Sequence, residues 1–374
     1  MRVLLVTWTD QLLEKLSILN PELEFCAIVV DEVEPAKEIL KRVGLPASLV
    51  YPLYDLKECV RDFYYDYVLC VEQGWDIDFL KLLREYEVPK NKRVGLNFLD
   101  NGNFLVERSL RYFKEHAAEF EMFATGMSYT EYGIDARRFK RKLFNFGKSS
   151  QDLYYDFQTA KFVVSCGGGG TLRYALIGLA PYSFHYDQSK FCSGSFRLLQ
   201  YAMAFRDLHN FFMSVEDYCK IFREEYLSFK LPLIEQFDVT GVHSDNILRL
   251  MTFNQKLGAR ERIDKWANRN YPETRDENVQ ILDGYLTLCE QNRIRPIMFL
   301  PPVTEGYKKH FIKPMLDEFY YFVRQACKKH PSAIFIDSWK LQGLSDADFW
   351  DVDHLNIQGA AKFSIFLNDF IERL

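Results

Sequence analysis

The hydrophobic positions of this chain follow two alternating patterns. Short apolar runs rich in Val, Ile and Leu are typical of buried strands, and apolar residues at every third or fourth position are typical of amphipathic helices. Over residues 1–112 the two patterns alternate, which predicts a parallel sheet with helices on both faces. The predicted strands are 2–7, 24–30, 67–71 and 93–96, and the predicted helices are 11–19, 35–43 and 80–86.

After a predicted helix at about 104–118, the same alternation predicts a second α/β domain. Its predicted strands are 121–125, 173–179, 296–300 and 333–337, and its predicted helices are 151–165, 276–292, 313–329 and 360–374. Residues 190–275 interrupt the pattern, because they are helical, aromatic and charged, with predicted helices at 196–212, 215–229 and 260–268. We therefore predict two domains, a small Rossmann-like one at 1–112 and a second at 113–374 with a helical insertion at about 190–275. The insertion is interpreted as a lid or as the surface of a homo-oligomer.

Composition narrows the classes of partner. The chain has 374 residues, of which 48% are hydrophobic, enough for the cores of two domains. A net charge of −5 argues against nucleic acid or an anionic membrane as a partner. No apolar run reaches the roughly 18 residues of a membrane-spanning helix, and the first residues read as a strand rather than a secretory signal. Eight cysteines without a Cys-x-x-Cys pair predict reduced thiols and a cytoplasmic protein.

The first domain lacks the glycine fingerprint of dinucleotide-binding folds. Val6-Thr7-Trp8-Thr9-Asp10 occupies the place after the first strand where Gly-x-Gly-x-x-Gly would stand. Without glycines the backbone cannot approach a pyrophosphate closely. No NAD-type cofactor is expected, although a sugar or another protein could bind at the carboxyl edge of this sheet.

The strongest candidate for chemistry lies before the last predicted helix, in Asp351-Val352-Asp353-His354. An acid three residues before a histidine can orient the imidazole so that it acts as a base. Of the seven histidines, His354 alone combines a nearby carboxylate with such a loop. We expect Asp353 to be exposed or to cap the helix, and it is the alternative acid. A histidine that merely caps the helix is the structural alternative for His354.

A matching nucleophile lies 223 residues before Asp351 (351 minus 128). Gly126-Met127-Ser128 follows a predicted strand, which places the Ser128 hydroxyl at a sharp strand-to-helix turn and its N–H near a developing oxyanion. Such triplets are common, and a helix-capping serine is the alternative. Because serine needs a neighbouring base to lose its proton, the hypothesis requires His354 beside Ser128.

A metal site is the other interpretation of the C-terminal acids. Asp351, Asp353 and His354 could bind a divalent cation. However, the sequence offers no second His/Asp/Glu cluster at ligand spacing to complete the coordination. We therefore expect no metal.

These segments resemble the SGNH (GDSL-type) hydrolases over residues 118–374. That family carries a nucleophilic serine after the first strand and a C-terminal Asp-x-x-His on a flavodoxin-like α/β/α sheet. Residues 126–130 look like the first block, with Met127 where the family usually has aspartate. Asp351 and His354 look like the last block and would be the acid and the base.

The resemblance is weaker at the oxyanion hole. The family's glycine would correspond to Gly147. The family's asparagine has no clear counterpart, because residues 179–184 occupy its place, and Tyr182 and Ser183 become the candidates there. One missing oxyanion donor typically lowers the rate by about 10²–10³.

The function implied is hydrolysis or transfer of an acyl ester by a Ser-His-Asp triad. Water as the acceptor would make the protein an esterase, and a sugar hydroxyl would make it an O-acyltransferase. The resemblance implies a small-molecule or glycan acyl ester, acetyl esters above all, as substrate. The alternative is a non-catalytic binding or assembly protein on the same scaffold.

Overall fold

The computed structural model describes residues 1–70, 79–96, 105–166, 170–190, 195–223 and 271–374. The chain divides into two compact units, Met1–Glu107 with Gln188–Ile234 and Arg108–Asp187 with Glu235–Leu374. Each unit contains a parallel sheet of five strands flanked by helices, so the predicted α/β class is confirmed. Among the described residues no helix is both long and apolar enough to cross a membrane.

The first unit begins with alternating strands and helices. In chain order they are β1 Arg2–Val6, α1 Thr9–Ile18, β2 Glu24–Val30, α2 Val33–Arg42, β3 Val50–Pro52, α3 Leu56–Asp62, β4 Tyr67–Cys70, α4 Phe79–Glu85 and β5 Arg93–Gly95. The strand order is β3-β2-β1-β4-β5, with all neighbours parallel, which is the order of a doubly wound sheet. Strand β3 and helix α3 were not predicted from the sequence.

The turn after β1 is held by side chains rather than by glycines. Thr9 donates its N–H and its hydroxyl to Asp31 Oδ1, each at 2.8 Å. Asp31 follows β2, so its carboxylate, at the carboxyl edge of the sheet, links the end of β2 to the turn after β1. The expectation that no dinucleotide cofactor binds here remains a prediction.

The rest of the chain contains the second sheet. The elements are α5 Leu105–His116, β6 Met122–Thr125, α6 Ser128–Gly133, β7 Leu143–Asn145, α7 Leu153–Ser165, β8 Tyr174–Gly178, α8 Ser195–Phe205, α9 Val215–Cys219, α10 Pro272–Gln291, β9 Arg295–Leu300, α11 Glu305–Lys308, α12 Lys313–Lys329, β10 Ile334–Asp337 and α13 Ile357–Ile371. Helices α8 and α9 belong to the first unit. Strand β7 and helix α11 were not predicted, and helix α6 was expected only as the helix that follows the turn at Ser128.

The predicted insertion at 190–275 is described only in part. The helix predicted at 196–212 ends at Phe205, because Arg206 and His209 both have positive φ values, 55° and 53°. The helix predicted at 215–229 is described as Val215–Cys219, and residues 224–229 lie outside the described residues. The helix predicted at 260–268 also lies outside them.

The second sheet has the strand order β10-β9-β8-β6-β7, again with all neighbours parallel. Numbered within the unit, this is the flavodoxin-like order 2-1-3-4-5. The order reverses at the first strand, β6, whose neighbours are β7 on one side and β8 on the other. Ligands of open α/β sheets bind at the carboxyl ends of the strands at such a point. Ser128 lies there, directly after β6.

Helix α13 anchors the C-terminal segment to this sheet. Its core positions are spaced three or four residues apart, which places them on one face of the helix. Phe363 and Leu367 are fully buried and belong to the same cluster as Leu176 of β8 and Phe299 of β9. The loop that precedes α13, residues 349–356, is thereby brought to the carboxyl edge of the sheet.

Candidate active site

The turn that carries Ser128 depends on Gly126. Its φ is +142°, a conformation that residues with a Cβ rarely adopt. A Cβ at this position would lie 2.2 Å from Thr130 Oγ1 and 3.0 Å from the carbonyl oxygen of Gly178. The chain therefore turns sharply here and starts α6 at Ser128, whose side chain is partly exposed at the end of the sheet.

A buried acid supports this turn from below. Asp156 on α7 accepts the backbone N–H of Gly126 and, at 2.6 Å, the side-chain amide of Gln151. Burial raises the pKa of Asp156 well above its ordinary value, because it disfavours the charged carboxylate, and the nearby Asp152 raises the pKa further. Asp156 therefore accepts hydrogen bonds beneath the turn, in an environment that disfavours its charged form.

The structure brings Ser128, His354 and Asp351 together. His354 Nε2 lies 2.8 Å from Ser128 Oγ, and His354 Nδ1 lies 2.9 Å and 3.0 Å from the two carboxylate oxygens of Asp351. Asp351 Oδ1 also accepts the backbone N–H groups of Asp353 and His354, at 2.9 Å and 2.7 Å. Asp351 thus holds the backbone of its own loop next to the imidazole of His354 and orients the imidazole with Nε2 toward Ser128.

Asp353 is neither exposed nor the cap of the last helix, which is Asn356, so the expectation of one or the other was wrong. Its side chain is 3% exposed, with Oδ1 3.4 Å from His354 Nδ1. Its Oδ2 accepts the phenol O–H of Tyr129 at 3.0 Å. The phenol oxygen of Tyr129 in turn lies 3.2 Å from that of Tyr182 and 3.3 Å from that of Tyr307. Asp353 is buried because α6 places Tyr129 over it, a contact between residues 224 apart in the chain.

Three aromatic rings surround the imidazole. The rings of Tyr129 and Trp350 are both tilted by only 27° from the ring of His354, with centroids 5.3 Å and 5.4 Å away. Tyr132 approaches with its ring nearly perpendicular, at 5.4 Å. Stacked aromatic faces favour a positively charged ring between them.

The same environment changes the pKa of His354. Burial alone lowers the pKa, since it disfavours the charged ring, but hydrogen bonds and charge from Asp351 and Asp353 outweigh burial and raise the pKa of His354 to about 9. The imidazole is therefore mostly protonated at neutral pH. It becomes a free base for Ser128 only in alkaline solution.

The structure does not support Gly147 as an oxyanion donor. Its N–H donates to Asn145 Oδ1 at 2.8 Å, so it is already used. A Cβ on Gly147 would lie 2.5 Å from the backbone nitrogen of Glu131, which shows that this glycine packs against α6. Asn145, which sequence reasoning missed, also donates its amide to the carbonyl oxygens of Thr130, Glu131 and Ile134. Its role is to hold the end of α6.

Ser183 and Tyr182 are also engaged elsewhere. The N–H of Ser183 donates to the carbonyl of Ala180, and its hydroxyl oxygen accepts the N–H of Ala180, both at 2.9 Å. This closed turn removes the Ser183 N–H as an oxyanion donor. Tyr182 is buried, and its hydroxyl contacts Tyr129 Oη and Met127 Sδ. Tyr182 therefore contacts the site through Tyr129 and Met127.

The N–H of Ser128 remains as an oxyanion donor. No hydrogen bond between described residues uses it, as expected in the first turn of a helix. Gly-Met-Ser after a strand was the signal that found it. The roles of Tyr129 and Trp350 had no signal in the sequence, because aromatic residues are frequent throughout the chain.

Asp351, Asp353 and His354 also have ligand atoms within 4.8 Å of one another, the separation that a metal ion would require. The His354 nitrogen on that side, Nδ1, is hydrogen-bonded to Asp351, and one oxygen of Asp351 already serves two backbone N–H groups. A cation would have to displace these bonds. The donor set fits a hydrogen-bonded acid–imidazole pair better than an octahedral or tetrahedral metal centre.

Comparison with known proteins adds no assignment: no protein-family model matches the chain, and no curated protein is significantly similar to it.

Proposed function

We propose that this protein is a serine esterase or O-acyltransferase with Ser128 as its nucleophile. The observation that carries the proposal is the hydrogen bond of 2.8 Å between Ser128 Oγ and His354 Nε2, with Asp351 2.9 Å from Nδ1 on the other side of the ring. A serine and a base in this contact, with the base oriented by a third group, are the arrangement that nucleophilic catalysis requires.

We infer further that the second unit is an SGNH-type domain. Two features support this inference. The strand order β10-β9-β8-β6-β7 is the flavodoxin-like order expected for that family, and Ser128 follows the first strand of the unit. Asp351 and His354, spaced as Asp-x-x-His, immediately precede the last helix, as they do in the family.

The proposed reaction proceeds in two steps. Ser128 Oγ attacks the acyl carbonyl carbon while neutral His354 accepts the serine proton at Nε2; collapse of the tetrahedral intermediate then breaks the ester bond, and His354 returns that proton to the leaving alcohol. In the second step a water or a sugar hydroxyl gives its proton to His354 and attacks the acyl carbon. The bond from that carbon to Ser128 Oγ then breaks, the acid or the new ester leaves, and His354 returns the proton to Ser128 Oγ. Asp351 stabilises the imidazolium formed in each step.

The oxyanion is stabilised in this proposal by the N–H of Ser128. Because the N–H groups of Gly147 and Ser183 are already hydrogen-bonded and the family's asparagine has no clear counterpart, the described residues offer fewer oxyanion donors than the family usually has. We therefore expect slow turnover, since a missing donor lowers the rate by about 10²–10³.

The proposed substrates are acyl esters, acetyl esters of carbohydrates in particular. Trp350 and Tyr132 place aromatic surface beside the imidazole, and such surfaces pack well against sugar rings. We also propose that the first unit binds a sugar and that the insertion forms homo-oligomer contacts. The protein is proposed to be cytoplasmic, with reduced cysteines.

Hydrolysis of p-nitrophenyl acetate tests the proposal directly. Ser128→Ala should lower kcat/KM by about 10³-fold or more, and His354→Gln by a similar factor, because the two residues act as one unit. Ser165→Ala, at an exposed serine on α7, is the matched control and should retain the wild-type rate. Equal rates for wild type and Ser128→Ala would remove Ser128 from the reaction and favour the non-catalytic binding or assembly protein.

A further inference from the structure

Two carboxylates, rather than one, face the Nδ1 side of His354. Asp351 lies 2.9 Å from Nδ1 and Asp353 lies 3.4 Å from it. A triad needs only one acid, so the second carboxylate requires its own explanation. The second carboxylate, Asp353, is also buried, and burying an ionised carboxylate costs free energy unless a cation or hydrogen-bond donors compensate its charge.

The two acids differ in how their charge is compensated. Asp351 is 25% exposed, and one of its oxygens accepts two backbone N–H groups besides the imidazole. Asp353 is 3% exposed, and its hydrogen-bond donors include the neutral phenol of Tyr129. The carboxylate of Asp353 is thus less screened by water than that of Asp351, and His354 lies within ion-pair distance of it. A buried charge acts on its neighbour more strongly than an exposed one.

The groups that face His354 from the other elements do not oppose a positive charge. Tyr129 and Tyr132 approach from α6, and Trp350 stacks from the same loop. Behind Tyr129 stand the phenols of Tyr182 and Tyr307. Burial and the neighbouring phenols and carboxylate raise the pKa of Tyr129 well above its ordinary value, so it stays a neutral donor to Asp353.

We propose that Asp353, fixed by Tyr129, is a second positioning residue for His354, a buried carboxylate 3.4 Å from Nδ1 that favours the imidazolium over the neutral ring. In that state the Nδ1–H faces the two carboxylates and the Nε2–H donates to Ser128 Oγ. Hydroxide or buffer base must remove the Nε2 proton before the serine O–H can turn and donate to Nε2. The site is therefore switched on by alkaline pH. This last consequence rests on the proposed function, but the protonation state does not.

The test is an NMR titration of the His354 Cε1–H signal in the full-length protein between pH 5 and 10.5. The signal is assigned by its loss in His354→Gln. We expect a wild-type midpoint at about 9. In Asp353→Asn the midpoint should fall by about one to three pH units, the effect of removing a charge at this distance. Asp346→Asn, an exposed acid of the same C-terminal segment, is the control and should leave the midpoint unchanged.

Asp351→Asn is the second variant, and it keeps the proposal testable should Asp353→Asn fail to fold. With Asp353 still present, the midpoint in Asp351→Asn should stay above 6.5. A wild-type midpoint below 7, an Asp353→Asn curve that superimposes on wild type, or a return to 6.5 or below in Asp351→Asn would each overturn the proposal.

The kinetic consequence is measured separately. In Asp353→Asn, kcat/KM for p-nitrophenyl acetate should reach its plateau at lower pH than in wild type, with Ser128→Ala as the blank at each pH. If Ser128→Ala and wild type hydrolyse the ester equally, the proposed function fails while the titration still decides the role of Asp353.

Discussion

Replacing Gly126 by alanine perturbs the turn that carries the nucleophile. A φ of +142° is strained for any residue with a Cβ, and such backbone strain costs on the order of 1–3 kcal/mol. The added methyl group would also lie 2.2 Å from Thr130 Oγ1 and 3.0 Å from the Gly178 carbonyl oxygen, and overpacking of this kind costs about 1–3 kcal/mol more. Gly126→Ala should therefore lower the free energy of unfolding by about 2–6 kcal/mol and reduce ester hydrolysis, because Ser128 shifts away from His354.

Two further variants separate strain from steric clash. Gly343 has a φ of +96° but nothing within 4 Å of its Cβ position, so Gly343→Ala should show the backbone strain alone. Thr130→Ala removes a hydroxyl that is buried without a hydrogen-bond partner among the described residues. Thr130→Ala should change the free energy of unfolding of the wild type only slightly, but in the Gly126→Ala background it should raise the free energy of unfolding by about 1 kcal/mol or more.

The measurement is urea unfolding, followed by circular dichroism, with midpoints compared between variants that share the same slope. Contacting residues are expected to give a non-additive double mutant. If Thr130→Ala has the same effect with and without Gly126→Ala, the clash is not the cause of the destabilisation. If Gly126→Ala costs no more than Gly343→Ala, the close packing of this turn does not contribute.

Three other outcomes are expected. Neutral His354 is the base and its pKa is about 9, so only about 1% of molecules are active at pH 7. The value of kcat/KM should therefore rise roughly tenfold per pH unit up to about pH 9 and then level off. A profile that is already flat at pH 7 would contradict this. Burial raises the pKa of Asp156, so the folded protein loses stability relative to the unfolded chain as the pH rises above the ordinary pKa of an aspartate. Asp156→Asn should therefore be more stable than wild type at pH 8, and the difference in thermal midpoint should shrink toward pH 4. Burial lowers the pKa of His330, but hydrogen bonds to Glu290 and Asp283 outweigh burial and raise the pKa overall. His330→Gln should therefore destabilise the protein most below pH 6.5 and progressively less at higher pH. A loss of thermal midpoint that does not depend on pH would show that the ion pairs contribute nothing.

The sequence by itself determined the layered α/β class and most of the central strands. Strands such as β1 and β2 are long apolar runs buried on both faces, and that pattern is visible in the residues alone. It also singled out Ser128, Asp351 and His354, because each stands at the end of a recognisable element or at a fixed spacing from its partner. Strands β3 and β7, three-residue strands at the edges of their sheets, were not predicted, although β5, which is equally short and also at an edge, was predicted.

Only the tertiary structure decided which polar groups of the site are already in use. The N–H of Gly147 is taken by Asn145 two residues away, a local bond that depends on how the loop packs against α6. Asp353 is buried because Tyr129, 224 residues earlier, closes over it. Asp351 and Asp353 are the same residue type two positions apart, and nothing in the residues around them shows which of the two is buried. Their exposure, and therefore the protonation of His354, depends on contacts that form only when distant segments meet at one edge of the sheet.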